Sequence, residues 1–333
     1  MFLFYPFSVG FFLLCVFGSL LSVSSSHWLG VWLGLEINLL GFIPLMIQGG
    51  WGQSVESAVK YFIVQALGSG FILLGGFFCG SGGVVWGVWG GMSFFLGCGL
   101  CLKLGVAPFH WWVPSVMGGI GWVGCGVLAT WQKLAPFMLL LGVAGGFGLA
   151  LLAFSFFSSV LGGLGGIGQV QVRLLMAYSS IAHLGWMVGM SCVSTVAGGF
   201  YYFFYFGLSF FVFVLLAGVQ LGRFSQVSLV GMVFVLFGFL SLGGLPPLTG
   251  FLPKWVGLQV LGCCGLYLVL SGLVVGSLLS LYFYLSLVFL LFVSREKVYV
   301  GSYGAKLVNY FAFSWGGFCL GLPFYEGFYF VFG

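Results

Sequence analysis

KLGVAPFHWW, residues 103–112, stands inside an otherwise apolar run that extends over 84–117. A lysine at the centre of a membrane helix costs on the order of 2.5–3.5 kcal/mol on the insertion scale. Five residues later Pro108 removes a backbone donor and clashes with the preceding turn, and Gly105 adds a second point of weakness. Freed backbone groups are tolerated at membrane depth only where they are buried in protein or face a wet cavity. The stretch therefore reads as an interrupted helix beside a transport path. A second stretch has the same grammar: GGLPPLTG, 243–250, breaks the run 228–260 at Gly243, Gly244, Pro246 and Pro247, and Lys254 follows in GFLPKW.

The rest of the chain supports a membrane reading. Of 333 residues, 62% are hydrophobic and 4% charged, and the mean hydropathy is +1.24. A soluble domain is about 45–50% apolar and about 25% charged. This composition cannot cover a globule with polar surface. Nine basic and four acidic residues give a basic balance. The basic residues never cluster, so nucleic acid is not an expected partner. The nine cysteines are scattered through apolar runs. Cys98/Cys101 has no second pair at ligand spacing, so all nine are expected to be buried thiols.

Eleven hydrophobic spans are legible, at about 3–24, 27–48, 57–79, 84–117, 120–142, 144–160, 169–190, 197–220, 228–260, 262–292 and 307–323. The expected class is an all-α polytopic membrane protein. The breaks fall in the fourth and ninth spans, five apart. That spacing fits two five-helix units, 1–142 and 143–292, followed by a loop and last helix over 293–333. An odd number of helices per unit makes the second unit enter from the opposite side, the logic of inverted repeats. The loops after even-numbered spans and their helix ends hold Glu56/Lys60, Arg173, Arg223, Arg295, Lys297 and Lys306, whereas the other loops hold essentially no Lys or Arg. The positive-inside rule then puts the even loops and the N-terminus on the cytoplasmic side or its organellar equivalent, with the C-terminus opposite.

The N-terminal stretch MFLFYPFSVGFFLLCVFG reads as a first span rather than a removable signal, since it lacks a basic n-region and an obvious cleavage site. An Arg- and Ser-rich presequence is not expected. Abundant glycine (59) and phenylalanine (41), with no aspartate, suit a G- and T-rich coding strand of the kind some organelle genomes have.

Four charges remain near mid-span: Glu36 in GLEIN, Lys103, Lys133 in TWQKLAP, and Lys254. Together they cost roughly 10–14 kcal/mol to insert, as much as the net stability of a typical domain. Accident is a poor explanation, and snorkelling is the bland one. Glu36 has too short a stem to snorkel and needs a counter-charge, for which the lysines are the candidates. Lys60 is different: four residues after Glu56, it has the spacing of an interfacial helix pair, with a pathway role as the alternative. His110 and His183 are further candidates, because imidazole titrates near neutral pH and both neighbourhoods are polar for a membrane span. The G-x-G-x-x-G match at 163–168 is expected about twice by chance at this glycine content and lacks a strand and a following acid. There is no G-K-[ST] loop, no HExxH and no cysteine cluster, so redox or nucleotide chemistry is not expected of this chain.

The motifs GLEINLLGFIPLM, ESAVKYFIVQALGS, KLGVAPFHWWVPSV, TWQKLAP, QVQVRLLMAYSSIAHLGWM and GGLPPLTGFLPKW occur in this order. Together they closely resemble the subunit 2 family of mitochondrial NADH–ubiquinone oxidoreductase, antiporter-like membrane subunits of respiratory complex I. The resemblance covers about residues 30–255; beyond that only hydropathy matches. It implies the shortened animal form, which lacks three N-terminal helices of bacterial relatives. It further implies proton translocation across the inner mitochondrial membrane, coupled to NADH oxidation and ubiquinone reduction elsewhere in the complex. Other membrane and peripheral subunits would be the partners, and NADH, FMN, iron–sulfur clusters and ubiquinone would be used by the complex rather than bound by this chain. The proton path implied by the family motifs runs through Glu36, Lys103, Lys133 and Lys254. The sequence departs from the family at Gly168 and Val170, where polar residues are usual, and no lysine follows Arg173. Two other readings are a stand-alone cation/proton antiporter and a non-pumping structural subunit of the same complex.

Overall fold

A computed structural model describes residues 6–48, 52–80, 88–219 and 229–293. The described residues form twelve helical segments and no strand. The first three spans are α1 (Pro6–Ser24), α2 (Trp28–Ile47) and α3 (Gly52–Gly80). The fourth is broken into α4 (Val88–Leu104) and α5 (Trp112–Gly119). Then come α6 (Trp122–Ala129), α7 (Trp131–Gly166), α8 (Val172–Ser191) and α9 (Thr195–Val219). The ninth span is broken into α10 (Leu229–Gly243) and α11 (Phe251–Cys263), and α12 (Tyr267–Val293) is the tenth. Both breaks therefore fall where the glycines and prolines put them. The eleventh span, 307–323, lies outside the described residues, as do Arg223, Arg295, Lys297 and Lys306.

The assigned helix α7 holds two expected spans, and the contacts reveal how. Lys133 reaches the carbonyl of Ser180, while Gly162 packs directly on the backbone of Ala182. These two levels on α8 are adjacent, yet Lys133 and Gly162 would stand about 44 Å apart on a straight helix at about 1.5 Å per residue. The chain must double back between them. The non-helical residue inside α7 is Phe147, with φ −126° and ψ 15°, in the glycine-rich run Gly142–Gly148. The reversal thus falls a few residues later than the expected boundary near 143, and the sixth span continues to Gly166 rather than 160. A second departure lies at Thr130 (φ −110°, ψ −78°), which separates α6 from α7 inside the fifth span.

Helices in lipid gain little from hydrophobic burial against each other, so small residues that admit close backbone approach hold them together. Gly18 and Gly34 bring α1 onto α2. Gly162 and Gly185 do the same between the second half of α7 and α8, and Gly276 of α12 rests on Ser159. The run GLGGIG belongs to this packing: Gly163, Gly165 and Gly166 lie against Leu279, Tyr178 and Phe283. Most buried serines in the spans donate to the carbonyl three residues back, as Ser155, Ser158, Ser179 and Ser180 do. Such self-bonded hydroxyls travel through the membrane without needing another partner. The expectation that every cysteine is buried fails at Cys263 and Cys264, which are exposed because they sit at the turn between α11 and α12 rather than on a packed face. Cys15, Cys98, Cys101 and Cys125 are buried thiols.

Candidate proton path

The first break opens after Leu104. Gly105 adopts φ +78°, a left-handed conformation that favours glycine, and Val106 closes the end by donating to the carbonyl of Cys101 (3.0 Å). Two carbonyls freed by the interruption find side-chain donors. The Trp112 indole donates to Leu102 (3.0 Å), and the Gln65 amide of α3 donates to Lys103 (3.3 Å). The Lys103 side chain is 5% exposed and its stem lies against Gly68 of α3. Glu36 of α2 is the acidic group whose field reaches this amine. The two do not form a direct ion pair: among the described residues the ion pair is Lys60–Glu56, 2.6 Å, with both side chains well exposed. Lys60 thus sits on the outer face of α3, apart from the buried charges.

The second break opens after Gly243, with Gly244 at φ +79°, and closes at Phe251, past Pro246 and Pro247. The Lys254 amine donates directly to the Gly243 carbonyl (2.8 Å). Its side chain is 6% exposed. Each break also leaves a buried polar atom without a protein partner among the described residues, Nδ1 of His110 at the first and the Thr249 hydroxyl at the second. Such atoms suit hydration.

Lys133 occupies the first turn of α7, just past the Thr130 kink, and is 3% exposed. Its amine donates to the Ser180 carbonyl (3.4 Å) and lies 5.4 Å from the centre of the Tyr205 ring. His183 of α8 is held by a hydrogen bond between Nδ1 and the Tyr201 hydroxyl (2.9 Å). The positive groups whose fields reach the imidazole are Lys254 and Lys133. His183 packs on the same Tyr205 ring as Lys133, with ring centres 5.3 Å apart.

Sequence reasoning missed a set of neutral polar residues around this row. The Gln132 amide donates to the Asn38 side-chain oxygen (2.9 Å) and accepts from the Tyr61 hydroxyl (3.3 Å). All three are buried. The Tyr202 hydroxyl caps the Thr130 carbonyl at the kink (2.9 Å). Gln132 adjoins Lys133 and Asn38 lies two residues beyond Glu36; an amide in an apolar span carries the same signal as a charge in weaker form, because it needs a partner.

The described residues contain no group of three or more His, Cys, Asp or Glu side chains arranged to hold a metal ion. The arrangement offers amines, an imidazole and a carboxylate that can exchange protons, beside two helix interruptions.

Residues 25–280 match a family model described as NADH:quinone oxidoreductase/Mrp antiporter, transmembrane. The chain is 39% identical over 289 residues to the NADH-ubiquinone oxidoreductase chain 2 of Patiria pectinifera, covering 82% of this chain and 80% of that protein. It is 38% identical over 317 residues to that of Anopheles gambiae, covering 92% and 87%. Among solved structures, it superposes on a chain of the respiratory complex I of Thermus thermophilus with a TM-score of 0.85 and 29% identity, covering 97% of this chain and 79% of that one.

Proposed function

The chain belongs to the NADH:quinone oxidoreductase/Mrp antiporter transmembrane family, and from that premise we propose that Glu36, Lys103, Lys133 and Lys254 carry protons through it. It is a core membrane subunit of respiratory complex I, a multi-pass protein of the inner mitochondrial membrane and a part of the NADH:ubiquinone reductase. Its partners are the other subunits of that complex. The complex uses NADH, FMN, iron–sulfur clusters and quinone; we assign all of these to other subunits, since this chain has no cysteine cluster or nucleotide-binding loop.

The observation that carries the reading is the burial of three lysines in one membrane protein, each beside a helix interruption or kink, with His183 and Lys133 packed against the same Tyr205 ring. A lysine holds its proton more tightly near a carboxylate and less tightly when desolvated. Movement of Glu36 towards or away from Lys103 switches that hold. A proton leaving Lys103 passes to Lys133, then by way of His183 to Lys254, with water admitted at the two breaks. His110 borders the first of these. Quinone reduction elsewhere in the complex supplies the driving signal. Lys60, paired outside with Glu56, is left off this route.

In assembled complex reconstituted into vesicles, Lys103→Ala and Glu36→Gln are expected to lower the number of protons moved per NADH. Lys103→Arg is expected to fail as well, because arginine effectively cannot release its proton. Full pumping in both of the first two variants refutes the path. The same measurement decides against a purely structural subunit, and ion exchange by the purified chain alone would favour a stand-alone antiporter.

The finer organisation belongs to the same proposal. Residues 1–142 and 143–292 form two inverted five-helix units meeting at the glycine-rich reversal, and 293–333 supply a matrix-side loop and a last helix. The N-terminus faces the matrix and the C-terminus the intermembrane space, on the loop-charge argument. Accessibility labelling of the Arg295 loop and of the C-terminus is expected to mark opposite sides. The gene is expected to be mitochondrial, with a strong G and T bias at codon third positions.

A further inference from the structure

We infer that the buried chain Asn38–Gln132–Tyr61 is a positioning linkage that transmits the state of Glu36 to Lys133, in parallel with the route through Lys103. The inference rests on the proton-path reading above. Its first support is topological. Asn38 is on α2, Tyr61 on α3 and Gln132 on α7, so two side-chain hydrogen bonds (2.9 and 3.3 Å) join three helices across separations of 94 and 71 residues. Amides are rarely spent this way inside a membrane unless they fix one helix against another.

The second support is geometric. Glu36 and Asn38 are two residues apart on α2, hence about 200° apart around its axis at 3.6 residues per turn. They face nearly opposite ways. Any roll of α2 that carries Glu36 towards Lys103 carries Asn38 the opposite way, and the Asn38–Gln132 bond must follow or break. Gln132 precedes Lys133 in the first turn of α7, beyond the kink at Thr130. The kink gives that turn somewhere to pivot, and its carbonyl is held separately by Tyr202.

The third support closes the circuit. The Tyr61 ring lies 5.7 Å from the Trp112 ring, and the Trp112 indole caps Leu102, the residue before Lys103. Tyr61 also lies within the field of Glu36. The linkage thus touches the helix of the carboxylate, the capped end of the helix bearing the first lysine, and the turn bearing the second. Asn38, Gln132 and Tyr61 are positioning residues; the proton moves on the charged groups.

The test measures protons moved per NADH in the assembled complex in vesicles, with NADH oxidation upstream of quinone used to normalise for assembled enzyme. Asn38→Leu and Gln132→Leu are each expected to remove at least half of what Glu36→Gln removes. The exchange Asn38→Gln with Gln132→Asn keeps the summed side-chain length and the amide pair, and is expected to restore more than half of the loss. Tyr61→Phe deletes one hydroxyl with little change in packing and is expected to give a smaller loss in the same direction. Wild-type stoichiometry in both leucine variants overturns the inference. So does an exchange variant no better than the single variants at equal assembly. Should the leucine variants fail to assemble, a wild-type ratio in Tyr61→Phe together with an unrescued exchange variant overturns it. If Glu36→Gln and Lys103→Ala impair pumping while these variants do not, only the linkage fails; if Glu36→Gln and Lys103→Ala pump fully, the proton path itself fails.

Discussion

The two broken spans solve the same backbone problem with different parts. At the α4–α5 break, neutral donors cap the freed carbonyls: Trp112 serves Leu102 and Gln65 serves Lys103. At the α10–α11 break, the lysine amine itself caps Gly243. The order of residues produces the difference. Lys103 precedes its break and lies in the last turn of α4, whereas Lys254 follows its break and lies in the first turn of α11. An amine beyond the gap can reach back to the helix end. The first lysine is therefore released from structural duty and can answer to Glu36. The second is charge carrier and cap at once.

The sharpest way to break this comparison is through glycine. A Cβ on Gly250 would overlap the carbonyl oxygen of Ser241. That neighbour is backbone inside α10 and cannot rotate aside. Overpacking of this kind costs on the order of 1–3 kcal/mol or more. At Gly105 the added Cβ meets the buried, β-branched Val113 side chain rather than backbone, and φ is +78°, which costs a non-glycine residue roughly 1–2 kcal/mol. Gly250→Ala is expected to reduce assembled complex more than Gly105→Ala does. Quantifying intact complex on native gels checks the order, and equal loss would mean the two breaks are equally rigid.

A smaller effect separates the lysines. Methionine at either position removes a buried ammonium and so relieves an insertion cost. At Lys254 it also leaves the Gly243 carbonyl buried without a donor, a penalty of about 1–3 kcal/mol. At Lys103 the carbonyls keep their caps. Lys103→Met is therefore expected to hold or raise the midpoint of thermal unfolding of the complex, and Lys254→Met to lower it relative to Lys103→Met, while both lower the protons moved per NADH. A reversed order of midpoints would show that the Lys254–Gly243 bond stabilises nothing.

Helix interruption was legible where glycine and proline cluster, at Gly105–Pro108 and Gly243–Pro247, whereas the single prolines Pro44 and Pro136 lie inside α2 and α7; charge at depth was legible because only four such residues stood in apolar runs, the three lysines buried and Glu36 half-buried. The pairing among those residues was not. That Glu36 couples to Lys103 rather than to Lys133 depends on which faces of α2, α3 and α4 meet. Likewise His183 and Lys133 meet on the Tyr205 ring, a relation between α7, α8 and α9 that no local pattern encodes. The reversal at Phe147 was placed only approximately: four glycines spread over Gly142–Gly148 offer several places to turn. The Thr130 kink went unseen, since no proline or glycine occupies it and its carbonyl is satisfied by Tyr202, a residue of α9. Neutral polar residues were the systematic omission. Asn38 lies in GLEIN and Gln132 in TWQKLAP, but an amide declares its importance only once its partner is known.

The weakest effect is expected at Lys60. Lys60 and Glu56 have the favourable order and spacing for a helix pair, and their side chains are 47% and 67% exposed. Exposed pairs gain little, because water and salt screen the attraction and two long side chains lose freedom. Burial, which makes the other lysines expensive and therefore informative, is missing here. Lys60→Gln is expected to leave both the protons moved per NADH and the thermal midpoint of the complex within experimental scatter, at low and at high ionic strength alike. A loss of pumping comparable to Lys103→Ala would show that depth in the membrane, rather than burial within the bundle, decides which lysines carry protons.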